Sequence, residues 1–205
     1  MRKILFAILL TLMPSLLSAQ TKHADTEKLG MALEYFTYGK YHEALLLFEK
    51  LEKQHKLNPR FMAYIGLCHY YDWNYEKATQ YLDSLIPQLG ALAPHERSVY
   101  CYAAAESHFN LGQYKEAIPF YEQVLTLCYD NEKGDAFYRL GFCYLFQEKY
   151  ENARECLESA EIFYRRFRNT SDLEARLSQI DNMLKGINAY LNQRSTTEAN
   201  PAQSE

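Results

Sequence analysis

The sequence predicts an all-α fold, a solenoid of helix–turn–helix repeats closed by a C-terminal helix, on three observations. A short phrase built on Tyr and Ala recurs four times along the 205 residues. Helix breakers are scarce, at 8 Gly and 6 Pro, below the roughly 7% and 5% of average chains. Apolar residues fall at helical spacing on both sides of each phrase, not in the alternation of strands. With 48% hydrophobic and 23% charged residues, the chain has the composition of an ordered, core-forming protein. Its aromatic content is lopsided: 18 Tyr and 11 Phe against one Trp. A net charge of −4 argues against nucleic acid as a partner, because phosphate contacts need clustered cations.

Residues 1–19 read as a signal peptide. Arg2 and Lys3 form a basic start, Ile4 to Leu12 an apolar run, and Leu17-Ser18-Ala19 offers a small residue for cleavage near Ala19. The run falls short of the about 20 apolar residues a membrane span needs, although an uncleaved anchor stays open as the alternative. The first Cys is Cys68, so no lipid-bearing Cys follows the apolar run and a lipoprotein is excluded. The Ala19-Gln20 junction resembles the signal sequences of Gram-negative envelope proteins, which implies export to the periplasm. The five Cys (Cys68, Cys101, Cys128, Cys143, Cys156) are odd in number and form no CxxC. They are expected as small buried apolar side chains, with one internal disulfide as the alternative.

The recurring phrases are Gly39-Lys40-Tyr41-His42-Glu43-Ala44, Trp73-Asn74-Tyr75-Glu76-Lys77-Ala78, Gly112-Gln113-Tyr114-Lys115-Glu116-Ala117 and Glu148-Lys149-Tyr150-Glu151-Asn152-Ala153. Their Tyr residues lie 34, 39 and 36 positions apart, which marks repeats at about 25–58, 59–92, 98–131 and 134–167. The eighth residue of each is small (Ala32, Gly66, Ala105, Gly141), and the twentieth is always Ala (Ala44, Ala78, Ala117, Ala153). The twenty-fourth is large (Phe48, Leu82, Tyr121, Leu157), and the eleventh is Tyr35, His69, His108 or Tyr144. This pattern resembles the tetratricopeptide repeat, a helix–turn–helix of 34 residues. Two departures stand out: Trp73 where Gly39 and Gly112 sit, and Pro87, which should shorten the second helix of the second repeat.

Phe137, Leu140, Gly141 and Tyr144 share one face of a helix, notched at Gly141 so that the Ala153 region can approach. Farther on, Leu173, Leu177, Ile180, Leu184, Ile187 and Leu191 form the stripe of a capping helix over 170–193. Ser171 is the expected N-cap, with Glu174 completing a capping box. Residues 194–205 are polar and expected as a disordered tail.

Candidate chemistry is thin. His42-Glu43 and His95-Glu96 begin like zinc-binding helices, but Leu46 and Val99 stand where the second His belongs. There is no Gly-rich phosphate loop, and His69 and His108 occupy a core aromatic position. The reading is non-enzymatic, with no catalytic residue, cofactor, metal or small-molecule substrate.

The resemblance implies protein–protein interaction, with a concave groove lined by the first helix of each repeat. Its residues in the second repeat would be Arg60, Leu67, Tyr70 and Tyr71. The third repeat would add Tyr102, Glu106, Phe109 and Asn110, and the fourth Tyr138 and Phe142, with Leu145 and Phe146 on the same face. A carboxylate clamp for chaperone tails is excluded, because Leu29, Leu33, Val99 and Ala103 occupy its places. The expected function is a scaffold or adaptor of the cell envelope that binds a protein or peptide segment. The alternatives are a self-associating structural module, hence a homo-oligomer, and a regulatory subunit of an envelope enzyme carried on another chain.

Overall fold

The computed structural model describes residues 25–199, and the expected signal peptide lies outside them. They form helices α1 (25–37), α2 (Tyr41–Gln54), α3 (Pro59–Tyr71), α4 (Tyr75–Leu85) and α5 (Pro94–Asn110). After these come α6 (Tyr114–Leu127), α7 (Lys133–Leu145), α8 (Tyr150–Phe167) and α9 (Leu173–Ala199), with no strand among the described residues. The fold is thus the expected all-α repeat solenoid with a C-terminal capping helix. The chain divides into two compact units, the first ending at Tyr81 and the second beginning at Leu82.

Each hairpin turn reverses the chain through a residue with positive φ: Gly39 at 72°, Trp73 at 58°, Gly112 at 72° and Glu148 at 58°. The next N–H then reaches back to the carbonyl of the repeat's eleventh residue. These bonds are Lys40 to Tyr35 at 2.9 Å, Asn74 to His69 at 2.8 Å, Gln113 to His108 at 2.9 Å and Lys149 to Tyr144 at 3.0 Å. They satisfy a carbonyl that the helix end leaves orphaned. Glycine enters this backbone freely, whereas Trp73 and Glu148 hold it against the Cβ clash of the left-handed region.

Helix starts and stops follow local chemistry. Asn58 caps α3, its Oδ1 accepting from Phe61 N–H at 3.1 Å, and Pro59 fills the first helical position. Pro87 ends the regular part of α4 at Leu85, and a 3-10 turn, Ile86–Gln88, takes over. One expectation needs correction at α9. Arg176 N–H bonds to the Asp172 carbonyl, so Asp172, not Ser171, is the residue that opens the helix. The Asp172 carboxylate accepts from the Thr170 hydroxyl and from Arg168 Nη2 at 3.2 Å, and these bonds fix the approach to the helix. At its other end α9 continues past Gln193 to Ala199, so the residues expected as tail from Arg194 are helical that far.

In the first unit, Ala32, Ala44, Phe48, Ile65 and Cys68 are fully buried together. In the second, Ala105, Ala117, Tyr121, Leu140 and Cys143 form one cluster, and Ala153, Leu157, Ala160 and Tyr164 another. Small residues set the spacing. A Cβ on Gly141 would lie 2.9 Å from both Leu157 Cγ and Cδ2, and one on Gly134 would lie 2.8 Å from the Tyr164 ring. Leu177, Ile180 and Ile187 bury themselves on this second cluster, each contributing about 1.5–3 kcal/mol. That burial makes α9 a cap. All five Cys are free.

Candidate functional site

The turn tyrosines do more than close their own hairpins. In the first unit the Tyr41 ring meets Phe36 edge-on at 5.3 Å and stacks on Tyr71 of the following repeat at 3.9 Å and 11°. In the second unit Tyr114 meets Phe109 edge-on at 5.3 Å and stacks on Phe146 of the following repeat at 4.3 Å and 16°. The same relationship recurs because the same repeat positions carry rings. Tyr150 carries it onto the cap, with its ring 4.2 Å from Tyr190 of α9.

On the first unit, Tyr70 lies 5.0 Å from Tyr71 and 6.3 Å from Tyr75. Tyr71 is partly exposed and Trp73 is 78% exposed. A depression of about 570 Å³ lies among Lys40, Tyr41, His42, Tyr71, Asp72 and Trp73. His42 Nδ1 pairs with Asp72 Oδ2 at 2.9 Å, and that hydrogen bond raises the imidazole above its ordinary value.

On the second unit the rings run as a continuous strip. Tyr138 meets Phe142 at 4.9 Å, Phe142 lies 6.2 Å from Phe146, and Phe146 stacks on Tyr114. Two guanidinium groups lie on its rings: Arg139 is 4.8 Å from the Phe109 centroid and Arg176 is 4.4 Å from that of Tyr138. A cavity of about 480 Å³ opens here, lined by Tyr102, Asp135, Tyr138, Arg139, Phe142, Arg176 and Gln179.

Beneath the strip lies a buried polar network. Glu106 is 5% exposed. Its carboxylate accepts from the Tyr121 hydroxyl, from Arg139 Nε at 2.8 Å and from Arg139 Nη2 at 2.9 Å. Burial and the neighbouring carboxylate push the Tyr102 and Tyr121 phenols well above their ordinary values. Asp135 accepts from the Tyr164 hydroxyl at 2.7 Å and from Arg168 Nη1 at 2.9 Å. These bonds satisfy the carboxylates internally and hold α5, α6, α7 and α8 in register.

Of the residues expected in a groove, Tyr102, Tyr138 and Phe142 line one cavity, and Phe109 joins them through Arg139. Glu106 forms the buried floor, and Asn110 turns back to donate to the Glu106 carbonyl at 2.7 Å. Tyr70 and Tyr71 meet on the first unit, where Leu67 is buried at 2% exposure and Arg60 is exposed. Sequence reasoning missed Arg139, which sits off the repeat's marked positions, and Arg176 and Gln179, which come from the capping helix. The turn tyrosines were legible as structural residues but not as stacking partners between repeats. Among the described residues no group of three His, Cys, Asp or Glu is placed to hold a metal ion.

MamA of Desulfovibrio magneticus RS-1, from residue 41 to its end, is similar in structure at 17% identity and a TM-score of 0.61, over 88% of this chain and 97% of that one. MamA AMB-1 is similar at 11% identity and 0.62, over 88% and 93%. The apo form of RapI is similar at 13% and 0.61, over 85% and 66%. At these identities the likeness is one of fold. No curated protein matches the sequence. Two family models, both described as tetratricopeptide repeat, match residues 29–94 and 95–166. With the repeat phrases, the hairpin geometry and these matches in agreement, the chain belongs to the tetratricopeptide repeat family.

Proposed function

We propose that this protein is a non-enzymatic scaffold of the bacterial cell envelope that holds a segment of a partner protein against its aromatic surface. The tetratricopeptide repeats support a protein-interaction role. The observation that carries the finer reading is the strip Tyr138–Phe142–Phe146–Tyr114 beside an open cavity in the second unit. Phe146 is 55% exposed, and rings held by neighbouring rings offer contact area at small entropic cost. Export to the periplasm, with cleavage near Ala19, rests on the basic and apolar start of the sequence.

Crosslinking in intact cells, followed by affinity capture of the wild type and a Phe142→Ser/Phe146→Ser variant, tests the reading. A partner chain lost from the variant, with its helicity and melting kept, is the expected result. Capture unaffected by the variant would sink the assignment of the surface. A stable dimer in sedimentation whose interface is lost in the same variant would favour self-association instead. Mass measurement of the cellular protein tests export: retention of residues 1–19 would overturn the cleaved signal peptide.

A further inference from the structure

The strip has chemistry besides its rings. Three charged side chains line the cavity of the second unit, Asp135, Arg139 and Arg176, and all but one are committed. Arg139 is closed by both oxygens of Glu106. Asp135 is occupied by Tyr164 and Arg168, and Arg168 also pairs with Asp172 at 3.2 Å. The Arg176 side chain makes no hydrogen bond and no ion pair among the described residues, although it lines the cavity. It is held by stacking, 4.4 Å above the Tyr138 ring. A guanidinium held over a ring, with no hydrogen bond from its own N–H groups, keeps those donors available to a ligand. The cavity therefore carries one positioned and unspent donor fork next to the apolar Phe142.

We propose that Arg176 receives the side-chain carboxylate of an Asp or Glu in the partner segment, adjacent to an apolar residue seated on Phe142. This deepens the reading of the strip as a partner-binding surface and rests on it. A planar carboxylate matches the fork with two parallel hydrogen bonds. The commitment to a side chain over a chain terminus has two grounds. Arg139, the other cation lining the cavity, is spent on Glu106, and Arg168 beside it on Asp135 and Asp172, so a single fork remains. The strip also continues beyond the cavity through Phe146 to Tyr114, so the bound segment runs on where a terminus would stop. The cation comes from the capping helix, not from a repeat, which gives α9 a part in recognition as well as in closure.

The test is selection of a random dodecapeptide library displayed on phage against the full protein. Amidated synthetic peptides then follow, with binding read by fluorescence anisotropy. Enriched peptides should carry an Asp or Glu within two residues of an aromatic or aliphatic residue. Arg176→Gln should weaken the best peptide about tenfold, and replacing the peptide's acid with its amide should cost the same. The two losses should not add in the double substitution, and Arg176→Lys should restore part of the affinity. Melting of Arg176→Gln at the wild-type temperature excludes a folding defect. Peptides without an acid, or with equal affinity for Arg176→Gln, that still lose binding to Phe142→Ser overturn the Arg176 assignment alone. Binding only by peptides with a free C-terminal carboxylate overturns the side-chain commitment. No peptide sensitive to Phe142→Ser overturns both this proposal and the partner-binding surface.

Discussion

His69 Nε2 stands 3.8 Å from Glu49 Oε1, too far for a hydrogen bond, and neither ring nitrogen of this buried imidazole has a hydrogen-bond partner among the described residues. In the next repeat the equivalent His108 bonds Asp83 at 3.0 Å and Gln113 at 2.7 Å. In the fourth, the Tyr144 hydroxyl reaches Glu122 at 3.3 Å. Asn74 explains the orphan. It occupies the place of Gln113, but its shorter side chain accepts from Lys77 N–H at 3.3 Å and caps α4.

Acid should act on these two histidines in opposite directions. Burial holds His69 below its ordinary value of about 6.5, with Lys77 adding to that and Glu49 and Asp72 opposing it. The folded state then binds fewer protons, so the stability from His69 is full above that value and is lost as pH falls through it toward the folded one. For His108 burial also lowers, but hydrogen bonds to Asp83 and Gln113 outweigh it and the net shift is upward. Its contribution is full below the ordinary value and is lost as pH rises through the folded one. His69→Tyr, which installs the residue found at Tyr35 and Tyr144, should stabilise by about 1 kcal/mol at neutral pH. Melting curves should show its advantage widening below pH 6.5; a constant or shrinking difference would contradict the orphaned imidazole.

Gly141→Ala should destabilise despite the better helix propensity of Ala. The added Cβ would lie 2.9 Å from Leu157 Cγ, a branch point that moves only if Leu157 changes its χ1 rotamer within a filled core or α8 shifts. Overpacking of about 1–3 kcal/mol exceeds the propensity gain of about 1 kcal/mol. Urea unfolding measures the sign, and a gain in stability would show that α8 yields easily.

Glu148→Gly should stabilise. The position has φ of 58°, which costs a non-glycine residue about 1–2 kcal/mol, partly offset by the chain entropy of glycine. A net rise of about 0.5–1 kcal/mol in chemical denaturation is expected, with the hairpin otherwise unchanged. An equal drop would place Glu148 in an interaction worth more than its strain.

Glu106→Gln should cost about 2 kcal/mol. The amide keeps the shape but loses the charge that both Arg139 nitrogens address. Because Arg139 is about a third exposed, the loss should fall below the roughly 3–5 kcal/mol of a fully buried pair. Thermal unfolding provides the readout, together with the Tyr121 phenol, which should titrate closer to its ordinary value once the buried carboxylate is gone.

The hairpins were legible because their causes are local. Gly39, Gly112 and the four alanines from Ala44 to Ala153 mark where backbones reverse or approach. Pro87 announces the early end of α4. The opening of α9 was misplaced by one residue, since Ser171 and Asp172 are both good caps and the bonds from Thr170 and Arg168 to Asp172 decide between them. The site was legible in part. Tyr102, Tyr138 and Phe142 lie at marked repeat positions, but Arg139 and Arg176 carry no mark, and their stacking on Phe109 and Tyr138 depends on how separate helices pack.

By itself the sequence determined the helices, the turns and the number of repeats, because spacing, glycine placement and small-residue notches act over a few residues. The tertiary structure alone decided which rings join across repeats, which buried histidine is left without a partner and which arginine of the second unit's cavity is left unspent. Those outcomes follow from distances between elements far apart in the chain, which no local pattern specifies.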